Sequence, residues 1–233
     1  MTPLYPLAGG HGRTRQGPDP LLRDIFSTSG RLRPSIAYVG AASGDDRDFH
    51  KAITAAFREA GAGTVSLAAT ASAQADLDET RATLSGSDLV FISGGDVEDG
   101  MRVLRERGLL PFLKRLHAGG KPFFGLSAGS IMLARSWVRW SDPANDDTAE
   151  KFACLDLAPI LCDTHAEAEG WEELRSLLSL CRRSGITGYG IPSGGALRVT
   201  PDGRVAALGK PAVRFQSQGG RVIPLSPLTP SPL

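Results

Sequence analysis

Hydrophobic and polar positions follow two alternating patterns along the chain, and these predict strands followed by helices. Short, continuous apolar runs end in polar or glycine residues: residues 35–40 read SIAYVG, and residues 88–93 read DLVFIS before a glycine pair. Such runs are typical of strands that are covered on both faces, as in parallel sheets. Between them, residues 46–60 repeat large apolar side chains every three or four positions, which is the spacing of one helix face.

The same patterns assign most of the chain. Strands are predicted at residues 4–7, 35–40, 64–67, 88–93, 122–125, 157–163, 187–191, 196–199, 205–208, 212–215 and 221–223. Helices are predicted at residues 21–26, 46–60, 76–84, 97–107, 110–118, 128–135 and 171–183. The alternation predicts an α/β fold with three α/β/α layers, a mostly parallel central sheet and a β-rich C-terminal part.

Three segments lack a regular pattern. Residues 10–33 are polar and contain glycine, and we expect a surface excursion around one short helix. Residues 141–151 are acidic and too long for a tight turn, which favours a loop at the active site or at an interface. We expect residues 1–223 to form a single domain and the proline-rich residues 224–233 to form a disordered tail.

Composition excludes several classes of function. The 233 residues include 26 basic and 25 acidic side chains, a balance that disfavours nucleic-acid binding. No apolar run approaches the roughly 20 residues that a membrane span needs. The N-terminal residues lack a signal-peptide pattern, which predicts a cytoplasmic protein. The three cysteines form no CxxC pair and lack the spacing of zinc ligands, so we expect neither a disulfide framework nor a metal.

The candidate chemistry lies in Gly125-Leu126-Ser127-Ala128-Gly129, a G-x-S-x-G motif between a buried strand and a helix. This context is typical of a nucleophile elbow, in which small neighbours permit a strained serine backbone. The N–H of Ala128 would then face the developing oxyanion. The alternative interpretation is a glycine-rich turn without catalytic function.

A glycine pair and a histidine complete the candidate site. Gly94 and Gly95 end another buried strand, and in a parallel sheet they would lie at the same edge as Ser127. Gly95 N–H is a candidate second oxyanion donor, although a plain turn is also possible. His165 directly follows a predicted strand and is the best candidate for the general base that a serine nucleophile requires.

These segments resemble the peptidase E and cyanophycinase family of serine peptidases, within the class I glutamine-amidotransferase-like superfamily. The resemblance rests on residues 91–96 (FISGGD), 125–130 (GLSAGS), 163–165 (DTH) and 190–192 (GIP). It implies Ser127 as nucleophile, His165 as base, and an oxyanion and substrate-binding set of Gly94, Gly95, Asp96 and Ala128. It also implies Asp142 as a further catalytic residue, and it implies catalysis without a metal or cofactor.

The sequence departs from that family at two places. The family's glutamate in the late G-x-x-E segment, which orients the histidine, is replaced by Ser193. A carboxylate normally fixes the imidazole tautomer, so Ser193, Asp142 or Asp163 would have to do this. The arginine with which peptidase E binds an aspartyl carboxylate aligns with Gly170. Strict specificity for aspartyl dipeptides is therefore not expected.

The sequence thus predicts a metal-independent serine peptidase that hydrolyses short peptides through an acyl-enzyme, with carboxypeptidase or esterase activity also plausible. Its partners would be a small peptide or ester and other copies of itself, as a dimer or tetramer, with no nucleic acid or membrane. Two alternatives stay open: a non-catalytic peptide-binding or scaffold homologue, motivated by Ser193, and a cyanophycinase-like polymer hydrolase.

Overall fold

The computed structural model describes residues 2–9, 18–142 and 144–231, and it shows the predicted alternation of strands and helices. The strands are β1 (Leu4–Leu7), β2 (Ile36–Val39), β3 (Val65–Ala68), β4 (Leu89–Ile92), β5 (Phe123–Leu126), β6 (Ser136–Trp140), β7 (Ala149–Ala153), β8 (Leu161–Thr164), β9 (Thr187–Ile191), β10 (Ala196–Val199), β11 (Val205–Leu208), β12 (Ala212–Gln218), β13 (Arg221–Leu228) and β14 (Pro230–Ser231). The α-helices are α1 (Pro20–Ser27), α2 (Arg47–Glu59), α3 (Leu77–Gly86), α4 (Val97–Glu106), α5 (Leu110–Ala118), α6 (Ala128–Leu133) and α7 (Glu172–Ser179).

The central sheet is mostly parallel, as predicted. Its strand order is β14-β11-β10-β1-β5-β4-β2-β3. The five strands from β1 to β3 in this order pair in parallel, whereas β10 pairs antiparallel with both β1 and β11. The parallel arrangement brings the carboxyl ends of β4 and β5 side by side, and these are the ends that carry the glycine pair and the elbow serine.

Helices cover both faces of this sheet because its strands are apolar on both sides. One face buries Tyr38 and Phe124 against side chains of α1 and α2, and its rings include the T-shaped pair of Phe26 and Phe57. The opposite face packs against α4, α5 and α6. Aspartates mark where four of the described helices begin: Asp19, Asp46, Asp76 and Asp96 each accept a backbone N–H in the first turn. The three-layer arrangement is therefore confirmed.

A second sheet, with strand order β13-β12-β9-β8, supplies the β-rich C-terminal part. Helix α7 packs against it and buries Leu174, Leu177 and Leu178. Strands β8 and β9 are parallel, with Asp163 opposite Gly190. This pairing sets the position of the loop that follows β8 and carries His165.

One sequence prediction of irregular structure is wrong, and a second is wrong only at its C-terminal end. Residues 224–231, expected as part of a disordered tail, form the end of β13 and all of β14. Both are edge strands of their sheets, where prolines can be accommodated because one side of the strand needs no N–H donors. The acidic segment 141–151, expected as a loop, contributes the start of β7, which pairs antiparallel with β6. Residues 232–233 and the polar stretch 10–17, with His11, lie outside the described residues.

Two further findings concern membranes and thiols. None of the helices in the described ranges combines the length and the apolar character needed to cross a bilayer. Cys154, Cys162 and Cys181 are all buried free thiols. Burial raises the pKa of Cys154 to about 12, so this thiol is a poor nucleophile at neutral pH.

Candidate active site

The turn between β5 and α6 holds Ser127 in a strained backbone conformation. Its φ is 52°, which is uncommon for a residue with a side chain and is often found where strain serves function. The N–H of Ser127 donates to Leu7 O at 2.9 Å, and this bond ties the turn to β1. The buried Ser130 hydroxyl adds a second tie, because it exchanges hydrogen bonds of 2.8 Å with the N–H and the carbonyl of Leu7.

The glycines of the motif are there for steric reasons. A Cβ on Gly129 would lie 2.1 Å from Ile92 O, and a Cβ on Gly125 would lie 2.6 Å from the carbonyl carbon of Gly129. Both distances are below any ordinary contact, so side chains would push the elbow away from β4. The sequence motif therefore has a packing basis that a plain glycine-rich turn would not require.

Ser127 and His165 lie within hydrogen-bonding distance of each other. The Ser127 Oγ is 2.6 Å from His165 Nε2, which is the geometry in which an imidazole can take the hydroxyl proton. The backbone of His165 is also strained, with a φ of 44°, and its N–H donates to Ile191 O at 2.9 Å. The base is thus positioned by the parallel pair β8 and β9.

The glycine pair lies directly beside the serine. A Cβ on Gly94 would be 3.4 Å from the Ser127 Cβ. Gly95 has a φ of 140°, and a Cβ there would overlap Ala42 O at 1.9 Å, so only glycine fits. The N–H groups of Gly95 and Ala128 donate to no backbone carbonyl of the described residues, which leaves both free to face an oxyanion.

Asp96, which was predicted as an oxyanion or substrate-binding residue together with Gly94, Gly95 and Ala128, has a different local role. Its N–H donates to Ala42 O at 2.8 Å and its carboxylate accepts Asp99 N–H at 2.8 Å, so it begins helix α4. Asp96 nevertheless lines the cavity beside Ser127.

The structure does not join Asp142 or Ser193 to the imidazole. Asp142 is exposed at the end of the β6–β7 hairpin, where its carboxylate accepts Ala144 N–H at 3.0 Å and its carbonyl accepts the Thr148 hydroxyl. The Ser193 N–H donates at 2.6 Å to the carboxylate of Glu167. No ion pair between His165 and a carboxylate occurs among the described residues. Asp163, the third candidate, is buried at the end of β8 and accepts the N–H of Thr164.

The carboxylates that act electrostatically on His165 are Glu167 and Glu173, which sequence reasoning missed. Burial works to raise the pKa of Glu167, but the hydrogen bonds from Ser193 and the charge of His165 lower it overall. Burial raises the pKa of Glu173, although a 2.7 Å hydrogen bond from the Trp137 indole and the charge of His165 oppose this. The only signal in the sequence is a run of four glutamates within eight positions after His165.

A cavity of about 520 Å³ opens beside the serine and histidine, within the range of small-ligand pockets. Its walls carry the predicted residues Gly95, Asp96 and Ala128, together with residues of β8, the β8–α7 loop and α7, and Trp137 of β6. Within the described residues, no group of three or more histidine, cysteine or acidic side chains is arranged to hold a metal ion.

Comparison with known proteins agrees with this geometry. A peptidase from an acI-B1 Actinobacterium superposes over 100% of this chain and 96% of its own, with a TM-score of 0.75 and 15% identity. A putative peptidase E protein from Listeria monocytogenes EGD-e covers 89% of this chain and 98% of its own, with a TM-score of 0.61 and 15% identity. At such identities, the likeness shows the fold.

Two sequence comparisons differ in how much of this chain they cover. The pyridoxal 5'-phosphate synthase subunit PdxT of Geobacillus thermodenitrificans (strain NG80-2) is 38% identical over only 60 residues, which are 26% of this chain and 31% of PdxT. The chain thus spans about a third of the length of the curated relatives that it matches. The sequence model of Peptidase family S51, by contrast, matches residues 7–206. That match begins at the last residue of β1 and spans the glycine pair, the elbow and the histidine, and the chain accordingly belongs to peptidase family S51.

Proposed function

We propose that this protein hydrolyses short peptides through an acyl-enzyme on Ser127, without a metal. The observation that carries the proposal is the 2.6 Å contact between Ser127 Oγ and His165 Nε2 at a strained elbow. An activated serine needs an adjacent base, and a base in this position converts a weak nucleophile into an effective one.

The reaction would proceed in two steps, acylation of Ser127 and hydrolysis of the acyl-enzyme. Ser127 Oγ attacks the peptide carbonyl carbon while His165 Nε2 takes the hydroxyl proton, and the N–H groups of Gly95 and Ala128 donate to the oxyanion. The C–N bond then breaks as His165 returns the proton to the leaving amine. A water molecule, deprotonated by the same imidazole, releases the acid and restores the Ser127 hydroxyl.

We further propose that Glu167 serves as the carboxylate for His165 in place of the family's late glutamate. The residue that replaces that glutamate, Ser193, holds Glu167 by a 2.6 Å hydrogen bond. A negative charge held near the imidazole stabilises the imidazolium that forms during proton transfer. Because Glu167 is exposed and makes no ion pair with His165, its contribution to the rate should be modest.

The proposal is tested with a fluorophosphonate probe and a panel of dipeptides, N-blocked peptides and p-nitrophenyl esters. We expect stoichiometric labelling of the wild type at Ser127, no labelling of Ser127→Ala, and normal labelling of Ser85→Ala, an exposed helical serine that serves as matched control. Equal background turnover by wild type and Ser127→Ala on every substrate, together with no labelling, would favour the non-catalytic alternative.

A further inference from the structure

The cavity beside Ser127 is strongly acidic. Its lining contains the carboxylates of Asp96, Asp163, Glu169, Glu172 and Glu173, and no lysine or arginine of the described residues. The whole chain has almost as many acidic as basic side chains. The excess of negative charge is thus a local property of this cavity.

One of these carboxylates is buried without a full set of partners. Asp163 is only 4% exposed, and it lines the cavity from the end of β8. Its Oδ1 accepts the N–H of Thr164 at 2.7 Å, but its Oδ2 has no hydrogen-bond partner of ordinary geometry among the described residues. The backbone N–H of Leu174 acts on this carboxyl only by lowering its pKa, against the larger effect of burial. A buried polar atom without a partner is costly, and in a functional cavity it indicates a group that arrives with the ligand.

The neighbouring carboxylates make the free cavity electrostatically unfavourable. Burial raises the pKa of Asp163 to about 7, and the negative charges of Glu173 and Glu169 add to that increase. The pKa of Glu173 is also raised by its burial and by Glu172 and Glu169. A cation bound among these groups would remove their mutual repulsion, whereas a substrate carboxylate would increase it.

The other walls suit a hydrocarbon chain. Val97, Ala128, Ile131 and Trp137 contribute apolar surface to the same lining as the serine and the carboxylates. These apolar side chains offer no ligands to a hydrated metal ion, and the carboxylates of the described residues are not arranged to bind one. An aliphatic stem that ends in an ammonium or guanidinium group matches both parts of the lining.

We infer that this cavity binds a positively charged group of the residue on the acyl side of the scissile bond, with Asp163 and Glu173 as its counter-ions. The inference rests on the proposed function, since it names the substrate class of the same site. The charge could come from a lysine or arginine side chain or from a free α-ammonium group, and the substrates below distinguish these sources.

Four fluorogenic aminocoumarin amides test the inference with the full chain. Acetyl-lysyl amide carries a side-chain cation, free norleucyl amide carries only an α-ammonium, acetyl-norleucyl amide carries no charge, and acetyl-glutamyl amide carries an anion. We expect kcat/KM to be at least 10-fold higher for a cationic substrate than for acetyl-norleucyl amide, and lowest for acetyl-glutamyl amide. Whichever cationic substrate is faster identifies the source of the charge.

Two neutralising variants assign the counter-ions. Asp163→Asn and Glu173→Gln should lower kcat/KM for the preferred cationic substrate about 10-fold more than kcat/KM for acetyl-norleucyl amide, with the difference residing in KM. An equal loss on both substrates would overturn the role of these carboxylates as counter-ions. Asp78→Asn, which removes a charge from an exposed aspartate in α3, is the matched control and should change neither value.

The outcomes separate this inference from the proposed function. Labelling of Ser127 together with equal turnover of the cationic, neutral and anionic amides would overturn the cationic site and leave the peptidase intact. If no amide is hydrolysed and no probe reacts, the proposed function fails, and calorimetry on Ser127→Ala decides the cationic site alone. Tighter binding of acetyl-lysine amide or free norleucine amide than of acetyl-norleucine amide supports it, and equal binding overturns it.

Discussion

Replacing Asp163 with asparagine should change how the stability of the folded protein depends on pH. The side chain is 4% exposed, and burial raises the pKa of its carboxyl from 3.8 to about 7, against the opposing hydrogen bond from Thr164 N–H. In the unfolded chain the carboxyl loses its proton near pH 4, whereas in the folded protein it does so near pH 7. Between these values folding takes up a proton, so a rise in pH weakens the folded state.

The size of this effect follows from the two pKa values. Each pKa unit corresponds to about 1.4 kcal/mol, which sets an upper limit of about 4 kcal/mol on the cost of ionised Asp163 above pH 7. Relaxation around buried charges reduces such costs, and we expect about 1–3 kcal/mol. Below pH 4 the carboxyl is neutral in both states, so this contribution disappears.

Asparagine keeps the shape and an acceptor for Thr164 N–H but cannot ionise. Relative to wild type, Asp163→Asn should therefore gain about 1–3 kcal/mol between pH 4.5 and pH 8.5, measured from urea unfolding curves followed by tryptophan fluorescence. For a chain of this length, that gain corresponds to roughly 2–10 °C in Tm. Asp78→Asn, with its exposed side chain, controls for the loss of one negative charge. A difference between Asp163→Asn and wild type that stays constant across this pH range would refute the reasoning.

Three other predictions concern Gly129 in the elbow, the buried carboxylate of Asp45 and the Glu167 carboxylate near His165. Gly129→Ala should destabilise the protein by about 2–4 kcal/mol in urea unfolding and slow fluorophosphonate labelling, because its Cβ would lie 2.1 Å from a carbonyl oxygen of β4. The control is Gly86→Ala, whose Cβ meets none of the described atoms within 4 Å and which should be neutral or slightly stabilising in urea unfolding. Asp45→Ala should cost about 2–4 kcal/mol in urea unfolding, since the buried carboxylate accepts three backbone N–H groups and a hydroxyl from residues 70–72; an unchanged midpoint would contradict this. Glu167→Gln should lower kcat about 3–10-fold and leave KM nearly unchanged, because the imidazolium that forms on His165 during proton transfer loses a nearby negative charge; a loss confined to KM would contradict this role.

The fold was predictable where local patterns and tertiary packing agree. The helix predicted at residues 110–118 has those bounds in the structure, and the buried runs around residues 36–39 and 89–92 lie side by side in the parallel sheet. The β6–β7 hairpin was missed because its two five-residue strands are separated by a polar segment and are stabilised by pairing rather than by a clear local pattern. His117 in α5 is buried with its ring edge-on to Phe123, a position that packing against the sheet determines.

The same distinction applies to the site. Ser127 and His165 could be found because each follows directly on a buried strand. Their strands, β5 and β8, belong to different sheets, so the 2.6 Å approach of the two side chains depends on tertiary packing. Glu173 could not be found in this way, since its partner Trp137 belongs to the hairpin that was missed. The reacting residues, Ser127 and His165, can be recognised from the local strand–turn sequence around each of them. The carboxylates near His165 cannot, because tertiary packing brings them there from separate elements.

The charge distribution around the site carries one further consequence for the enzyme. Holding Asp163 and Glu173 beside Glu169 in one cavity costs stability in the free protein, as the raised pKa values of Asp163 and Glu173 indicate. If these side chains only enclosed the cavity, neutral residues of similar size could do so without this loss of stability. A bound cation removes the cost only while it occupies the cavity, and after hydrolysis of the acyl-enzyme it leaves with the released acid. The acidic lining therefore favours a substrate whose positive charge lies close to the bond that Ser127 attacks, and it disfavours the aspartyl substrates that an arginine at the position of Gly170 would recognise.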